Sequence, residues 1–356
     1  MAATLRGRLA FTRESGYMNK EHGEDGAAPA VALAFALAVA IVFAAVCFWA
    51  ASHRPHEDNT DFAQIWHAAK ALVAGLDPYA AIGPGTSFPQ PYPLFYPLPA
   101  VLIGTPFTAL SVRWADAAFA AISAGFLLFA VLRSERHRLL LIVSAPFIYA
   151  TWLSQWSPLL TAAALVPIFG FLLVAKPTIG AALFFYRPDL RAVLGIAILV
   201  ALSFAIQPNW ASEWRTSLRS TGHMVVPIVH GAGPLLALAI LRWRRPEARL
   251  LLAMACVPQT AILYEALPLA LIPGGFAEMS IFVALSWVAC EWWVHTGLNL
   301  SMSAQTLHSV HIIVPLLYLP CLIMVLRRPN EGSLPAWIDR AVHRVQGLGR
   351  LAGERE

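Results

Sequence analysis

Residues 61–99 read DFAQIWHAAKALVAGLDPYAAIGPGTSFPQPYPLFYPLP, a polar, proline- and aromatic-rich stretch set between long apolar segments. Charged side chains are costly in hydrocarbon, so the stretch is expected to be a loop, and loops are where chemistry concentrates. Phe62, Ile65, Trp66, Ala69, Leu72 and Val73 recur at helical spacing. That predicts an amphipathic helix over 61–74, capped by Asn59 or Thr60 and stopped at Gly75. The helix is too short and polar to span, so it is expected to lie on the membrane interface. Pro78, Pro84, Pro89, Pro91, Pro93, Pro97 and Pro99 forbid regular structure until the apolar run resumes.

Working outward, the 356-residue chain is 58% hydrophobic and only 13% charged. A soluble domain carries about 25% charged residues, so the composition predicts an integral membrane protein. The net charge of +5 makes no case for nucleic acid. The arginines cluster at segment ends, where the positive-inside rule places them. Residues 1–29 are polar and basic, with no apolar core of a signal peptide, and read as a cytoplasmic tail. Cys47, Cys256, Cys290 and Cys321 lie in apolar runs without ligand spacing and are expected to be small buried side chains.

The first span is expected over 30–51, leaving by its C-terminal end to the outside, so that 53–95 forms the first outer loop. Residues 94–111 are broken by Pro97, Pro99 and Pro106. They are expected to be re-entrant or tilted, because a full crossing would place the basic RSERHR at 133–138 outside. Further spans are expected over 114–132, 139–153, 157–174, 190–206, 224–241, 249–273, 276–294 and 307–326. Trp210, Trp214 and Leu218, one turn apart, predict a second interfacial helix. RWRRPEAR at 242–249 and the tail 327–356 read as cytoplasmic. The expected fold is all-α and polytopic, with about 8–10 transmembrane helices over residues 30–326 and amphipathic helices in outer loops.

The opening stretch resembles the first outer loop of the polytopic GT-C glycosyltransferases. More narrowly it resembles glycosyltransferase family 87, which includes polyprenol-phosphate-mannose-dependent mannosyltransferases. The residues that carry the likeness are Asp61, Gly75, Pro78-Tyr79, and Tyr96-Pro97 followed by Pro99; the family's second proline is Leu98 here. Gln155 in SQWSPLL, Lys176-Pro177 followed by Gly180, and Pro208 with Trp210 match in order. Pro258 and Tyr264-Glu265 stand where members carry an aromatic or His beside Asp or His, so that late motif is altered. The likeness covers roughly residues 30–273.

The resemblance implies a GT-C-like membrane enzyme of the plasma membrane, with its active site on the outer face. It would move a hexose, mannose first, from a polyprenyl-phosphate-sugar donor to a lipid-linked or cell-envelope glycan acceptor. One inverting displacement suffices, with no cofactor implied. Asp61 aligns with the family's catalytic acid and would take the proton of the acceptor hydroxyl. As a first-turn acid it could instead stabilise the helix dipole. Glu57 and Asp58 are the alternatives: EDNTD offers three acids in five positions, able to hold a divalent metal or simply solvated.

Tyr96, Gln155, Tyr264 and Glu265 are the candidate substrate-binding residues, together with Arg215 and Arg219. The two arginines, one turn apart, would meet either the donor phosphate or lipid phosphates. Gln155 would bond sugar hydroxyls or cap a helix. Glu265, an acid inside an apolar run, is a functional candidate by default, against a buried hydrogen-bonded role. Lys176 is expected near the inner face, in a structural role. Glu291, His295, His308 and His311 match no zinc spacing. Two other classes compete. A lipid or glycan transporter would show mid-membrane charges and related halves. A non-catalytic family member would act as a membrane assembly partner.

Overall fold

The computed structural model describes residues 27–54, 60–219, 224–260 and 262–332. The N-terminal tail up to Gly26, the alternative acids Glu57 and Asp58, and the C-terminal tail beyond residue 332 lie outside the described residues. Charge-free and rich in Ala, Val and Phe, Ala27–Ser52 forms helix α1. Then come α2 (Asp61–Val73), the single turn α3 (Pro78–Ala81) and α4 (Leu98–Gly104), which continues as the 3-10 turn Thr105–Ala109. Between α3 and α4, Ile82–Gly83 pairs in parallel with Phe88–Pro89. α5 (Val112–Leu132) lies along α1. Small residues allow the approach: a Cβ on Gly125 would stand 2.8 Å from the Cβ of Ala44.

The rest is α6 (Ala145–Trp152), α7 (Ser157–Leu165), α8 (Pro177–Tyr186), α9 (Leu190–Ile206), α10 (Trp210–Arg219), α11 (Pro246–Cys256), α12 (Phe276–Gly297), α13 (Met302–Ile313) and α14 (Leu319–Leu326). Long 3-10 segments alternate with them: Arg136–Val143, Pro167–Ala175, Gly233–Arg242 and Leu263–Leu271. A π-helical stretch, Val314–Tyr318, joins α13 to α14.

Among the described residues, four helices are long and apolar enough to cross a membrane: Ala30–Ser52, Val112–Leu132, Phe276–Gly297 and Met302–Leu326. A fifth is added if α9 and α10, bent by 96°, count as one. That is fewer than the expected eight to ten transmembrane helices. The runs 139–153, 157–174, 224–241 and 249–273 are each broken into short α and 3-10 pieces. Proline is the physical reason. Pro146, Pro167, Pro234 and Pro268 lie in or at the start of those pieces, and each removes an amide donor that a continuous α-helix needs. A 3-10 helix rises about 2.0 Å per residue, so nine residues still cover about 18 Å.

The segment 94–111 comes back to the end of the bundle from which it starts. Trp66 Nε1 donates to the carbonyls of Phe107 and Leu110, both at 3.2 Å, and Arg113 Nε donates to the Ser52 carbonyl at the end of α1 at 2.7 Å.

The bundle has two chemically distinct ends. At one, arginines tie the chain reversals together. Arg242 Nε donates to the carbonyl of Arg328 at 2.7 Å, Arg328 Nη1 to Ile272 at 2.8 Å, and Arg249 Nε to Phe185 at 2.9 Å. The other end gathers the start of α2, the proline-rich loop, α10 and the turn before α7. Between them, α1, α9 and α12 expose Phe35, Ile41, Trp49, Leu194, Ile198, Ile281 and Trp292. Bare apolar belts of this kind fit lipid rather than water. Cys321 is buried as expected and Cys47 and Cys290 are partly so, whereas Cys256 departs from expectation and is exposed.

Candidate functional site

The site begins with the cap of α2. Thr60 Oγ1 accepts from the Ala63 amide at 3.1 Å and donates to Asp116 Oδ1 at 2.6 Å. Asp116, buried in α5, is ion-paired with Arg54. Arg54 also donates to the Ala51 carbonyl at 3.1 Å, to Ser154 Oγ at 2.9 Å and to the Trp152 carbonyl. Removing one partner would leave a buried charge uncompensated, so the knot holds four helix ends together, those of α1, α2, α5 and α6. Ser154, at φ 49, is the one non-glycine residue in the left-handed region among the described residues. Such strain persists where the surroundings over-determine it, here at the turn bound to Arg54. The far end of α2 closes on a Schellman motif: Leu76 N donates to Ala71 O at 2.9 Å and Gly75 sits at φ 74.

Asp61, fixed by these contacts, turns its carboxylate toward the proline-rich loop. Tyr96 donates its hydroxyl to Asp61 Oδ2 at 2.5 Å. Burial, then the adjacent Asp61 carboxylate, holds the Tyr96 phenol well above its ordinary pKa, so it stays a donor. Prolines leave the loop short of donors, and Gln64 satisfies it instead. Its Nε2 donates to the Pro93 carbonyl at 3.0 Å, and its Oε1 accepts from the Phe95 amide at 3.2 Å. From α10, Trp214 Nε1 donates to the Phe95 carbonyl at 2.8 Å.

The facing wall carries a buried ion pair. Lys176 Nζ stands 2.7 Å from Glu265 Oε1, and Glu265 is 1% exposed. The other carboxylate oxygen accepts from the Thr260 amide at 3.1 Å. The ammonium lies over the rings of Tyr264 at 5.2 Å and Tyr96 at 6.0 Å, within cation–π range. Gly180 makes this placement possible, since a Cβ there would drive into the Leu173 carbonyl. Between the two walls opens a cavity of about 620 Å³. Asp61, Tyr96, Lys176, Tyr264 and Glu265 line it, with Tyr92, Phe95 and Trp214 as aromatic walls.

Four of the expected residues therefore meet: Asp61, Tyr96, Tyr264 and Glu265. Gln155 does not line the cavity. It is buried behind it, its Oε1 without a partner among the described residues, beside Trp156, whose ring lies 6.3 Å from that of Tyr96. Arg215 and Arg219 are exposed on α10 and do not line the cavity, whereas Trp214 and Leu218 do.

Lys176 is the residue that sequence reasoning misplaced. Reading 157–174 as one crossing sent it to the far face. Instead α7 ends at Leu165 and the 3-10 segment from Pro167 turns back to the Asp61 end. A signal was present. Lys176 is one of only three lysines in the chain, and a buried acid such as Glu265 needs a cation.

Chemically, the arrangement offers a carboxylate acceptor held by a phenol, an ammonium on the facing wall, and aromatic surfaces between. Among the described residues no cluster of three His, Cys, Asp or Glu side chains is placed to hold a metal ion. No known protein family, no curated protein and no solved structure matches the chain.

Proposed function

We propose that the chain is a GT-C-like membrane glycosyltransferase that moves a hexose, mannose first, from a polyprenyl-phosphate donor to a glycan or glycolipid acceptor at the outer face of the plasma membrane. The observation that carries this reading is that Asp61 and Lys176 open onto one aromatic-walled cavity. Asp61 takes the proton of the acceptor hydroxyl as that oxygen attacks the anomeric carbon. The bond from the anomeric carbon to the phosphate oxygen breaks, and its electron pair leaves with the polyprenyl phosphate. One displacement inverts the anomeric centre.

Lys176 replaces Arg215 and Arg219 as the cation for the donor phosphate in this proposal. An ammonium has three donors, and Glu265 occupies one of them at 2.7 Å. Tyr92, Phe95 and Trp214 present faces for the sugar and the first isoprene units. The buried Lys176–Glu265 pair also favours a second reading, a lipid or glycan transporter, since such pairs mark ion pathways.

The test is transfer by protein purified into lipid vesicles, with radiolabelled polyprenyl-phosphate-mannose and native membrane lipids as acceptors. The enzyme reading expects a labelled glycolipid and release of polyprenyl phosphate. Asp61→Asn should lower turnover by about 10²–10⁴-fold while the protein inserts normally. Movement of label across the vesicle with no bond broken would replace the enzyme by the transporter.

A further inference from the structure

A second cavity, about 840 Å³, opens at the arginine-rich end of the bundle. Arg133, Arg138, Arg187, Arg245 and Arg249 all line it. The carboxylates on its wall are Glu247 and Glu331. Glu247 is already shared between Arg245 at 3.6 Å and Arg328 at 3.8 Å, and Glu331 is exposed. The wall therefore keeps a surplus of positive charge.

Arginines at a membrane face are ordinary, and by themselves they make no site. Arg138 is different. It lies at the start of the 3-10 segment Arg136–Val143 and is only 9% exposed. Its Nη2 donates to the Tyr186 hydroxyl at 3.3 Å and stands 4.0 Å from Glu135 Oε2. Its Nε has no hydrogen-bond partner among the described residues. A guanidinium buried to that degree with an unused donor is costly unless an acceptor arrives. Arg133, exposed at the rim, makes a cation–π contact with Phe129 at 5.6 Å. Arg249 is spent on backbone carbonyls and serves as a brace.

The apolar wall is formed by Phe129, Ala130, Leu165 and Pro167. It continues onto Ile168 and Phe169, which are 66% and 40% exposed on the belt. A ligand with an anionic head and a hydrocarbon body fits both walls. Guanidinium groups suit phosphate oxygens through paired donors.

We propose that this cavity binds a phosphate-bearing anion, with the headgroup of an anionic phospholipid in the adjoining leaflet as the source that the apolar wall favours. The site is separate from the Asp61 cavity and stands whether or not the transferase reading holds.

The experiment uses the full chain in detergent. Native mass spectrometry and thermal melting are read with phosphatidylglycerol, with phosphatidylcholine and with soluble inorganic pyrophosphate. Phosphatidylglycerol should be retained over phosphatidylcholine, and Arg138→Gln should weaken retention by about tenfold or more. If Arg138→Gln fails to fold, Arg133→Gln at the exposed rim gives the same reading with a smaller loss. Arg215→Gln, at the far end, should behave as wild type. A melting shift with pyrophosphate alone, abolished by the arginine variants, supports the phosphate site with a soluble source. Equal retention of the two lipids without a pyrophosphate shift overturns the proposal. So does an equal loss in Arg215→Gln.

Discussion

The hydroxyl of Tyr96 donates to Asp61 Oδ2 at 2.5 Å, so a residue from the proline-rich loop holds the carboxylate that opens α2. A hydrogen bond to a charged group contributes about 1.5–3 kcal/mol. Tyr96→Phe keeps the ring and removes this bond. If Asp61 must be aimed to work, turnover should fall by about tenfold or more, with a smaller effect than Asp61→Asn. Turnover unchanged in Tyr96→Phe would show that the loop does not position the acid.

The Lys176–Glu265 pair predicts an asymmetric cycle. Lys176→Met leaves Glu265 buried without its cation and should destabilise the protein by about 3–5 kcal/mol. Adding Glu265→Gln should restore most of that loss, because neither charge then remains. Donor-dependent transfer should not return with it. Denaturation in detergent measures the first part; recovery of transfer in the double variant would remove Lys176 from the donor site.

Arg215 and Arg219 are exposed and do not line the cavity, so alanine at either should leave the donor Michaelis constant within about twofold of wild type. Lys176→Gln should raise it by about tenfold or more. The opposite ranking would return the phosphate to the arginines.

Gly180→Ala places a methyl group against the Leu173 carbonyl, where no flexible side chain can yield. Overpacking of this kind costs about 1–3 kcal/mol. The shift should also displace Lys176, four residues earlier, so melting temperature and transfer should fall together. A variant that melts like wild type would mean that the hairpin relaxes freely.

Tyr79 and Tyr96 predict alkaline sensitivity. Burial, followed by the nearby acids, raises both phenols above their ordinary value. In the unfolded chain they ionise near about 10, while in the folded protein they stay protonated. The folded state thus binds more protons above that pH, so their contribution is complete below about 10 and falls as pH rises. Melting between pH 8 and 11 checks the sign. Tyr79→Phe, which loses only the bond to the Tyr96 carbonyl at 3.1 Å, should flatten the curve.

Much of the Asp61 end was legible in the sequence, because it is written in local chemistry. The cap at Thr60, the amphipathic stripe of α2, the glycine stop and the second aromatic helix at Trp210 and Trp214 all follow from neighbours in sequence. Its polarity and length predict that α2 lies on the interface, but Phe62, Ile65 and Ala68 are fully buried in the bundle. The 3-10 segments were not legible, since an apolar run such as 157–174 has the composition of one span whatever its internal hydrogen bonding. That error moved Lys176 to the wrong face and hid its pairing with Glu265, which lies 89 positions later in the chain. The Arg54–Asp116 knot was equally hidden. Its partners are 62 residues apart, and nothing local distinguishes Asp116 from a surface acid.

The short 3-10 and α segments bear on how the chain enters a bilayer. A segment of nine or ten residues, such as α7, Pro167–Ala175 or α8, is about half the length that partitions stably alone. During synthesis, α1 and α5 precede those pieces and are each long enough to integrate independently. The pieces that carry Lys176 must then enter as pairs against that scaffold, each supplying the other's missing apolar surface. The cavity is therefore an assembled product of late biogenesis, and a lesion in α1 or α5 reaches it without touching any residue that lines it.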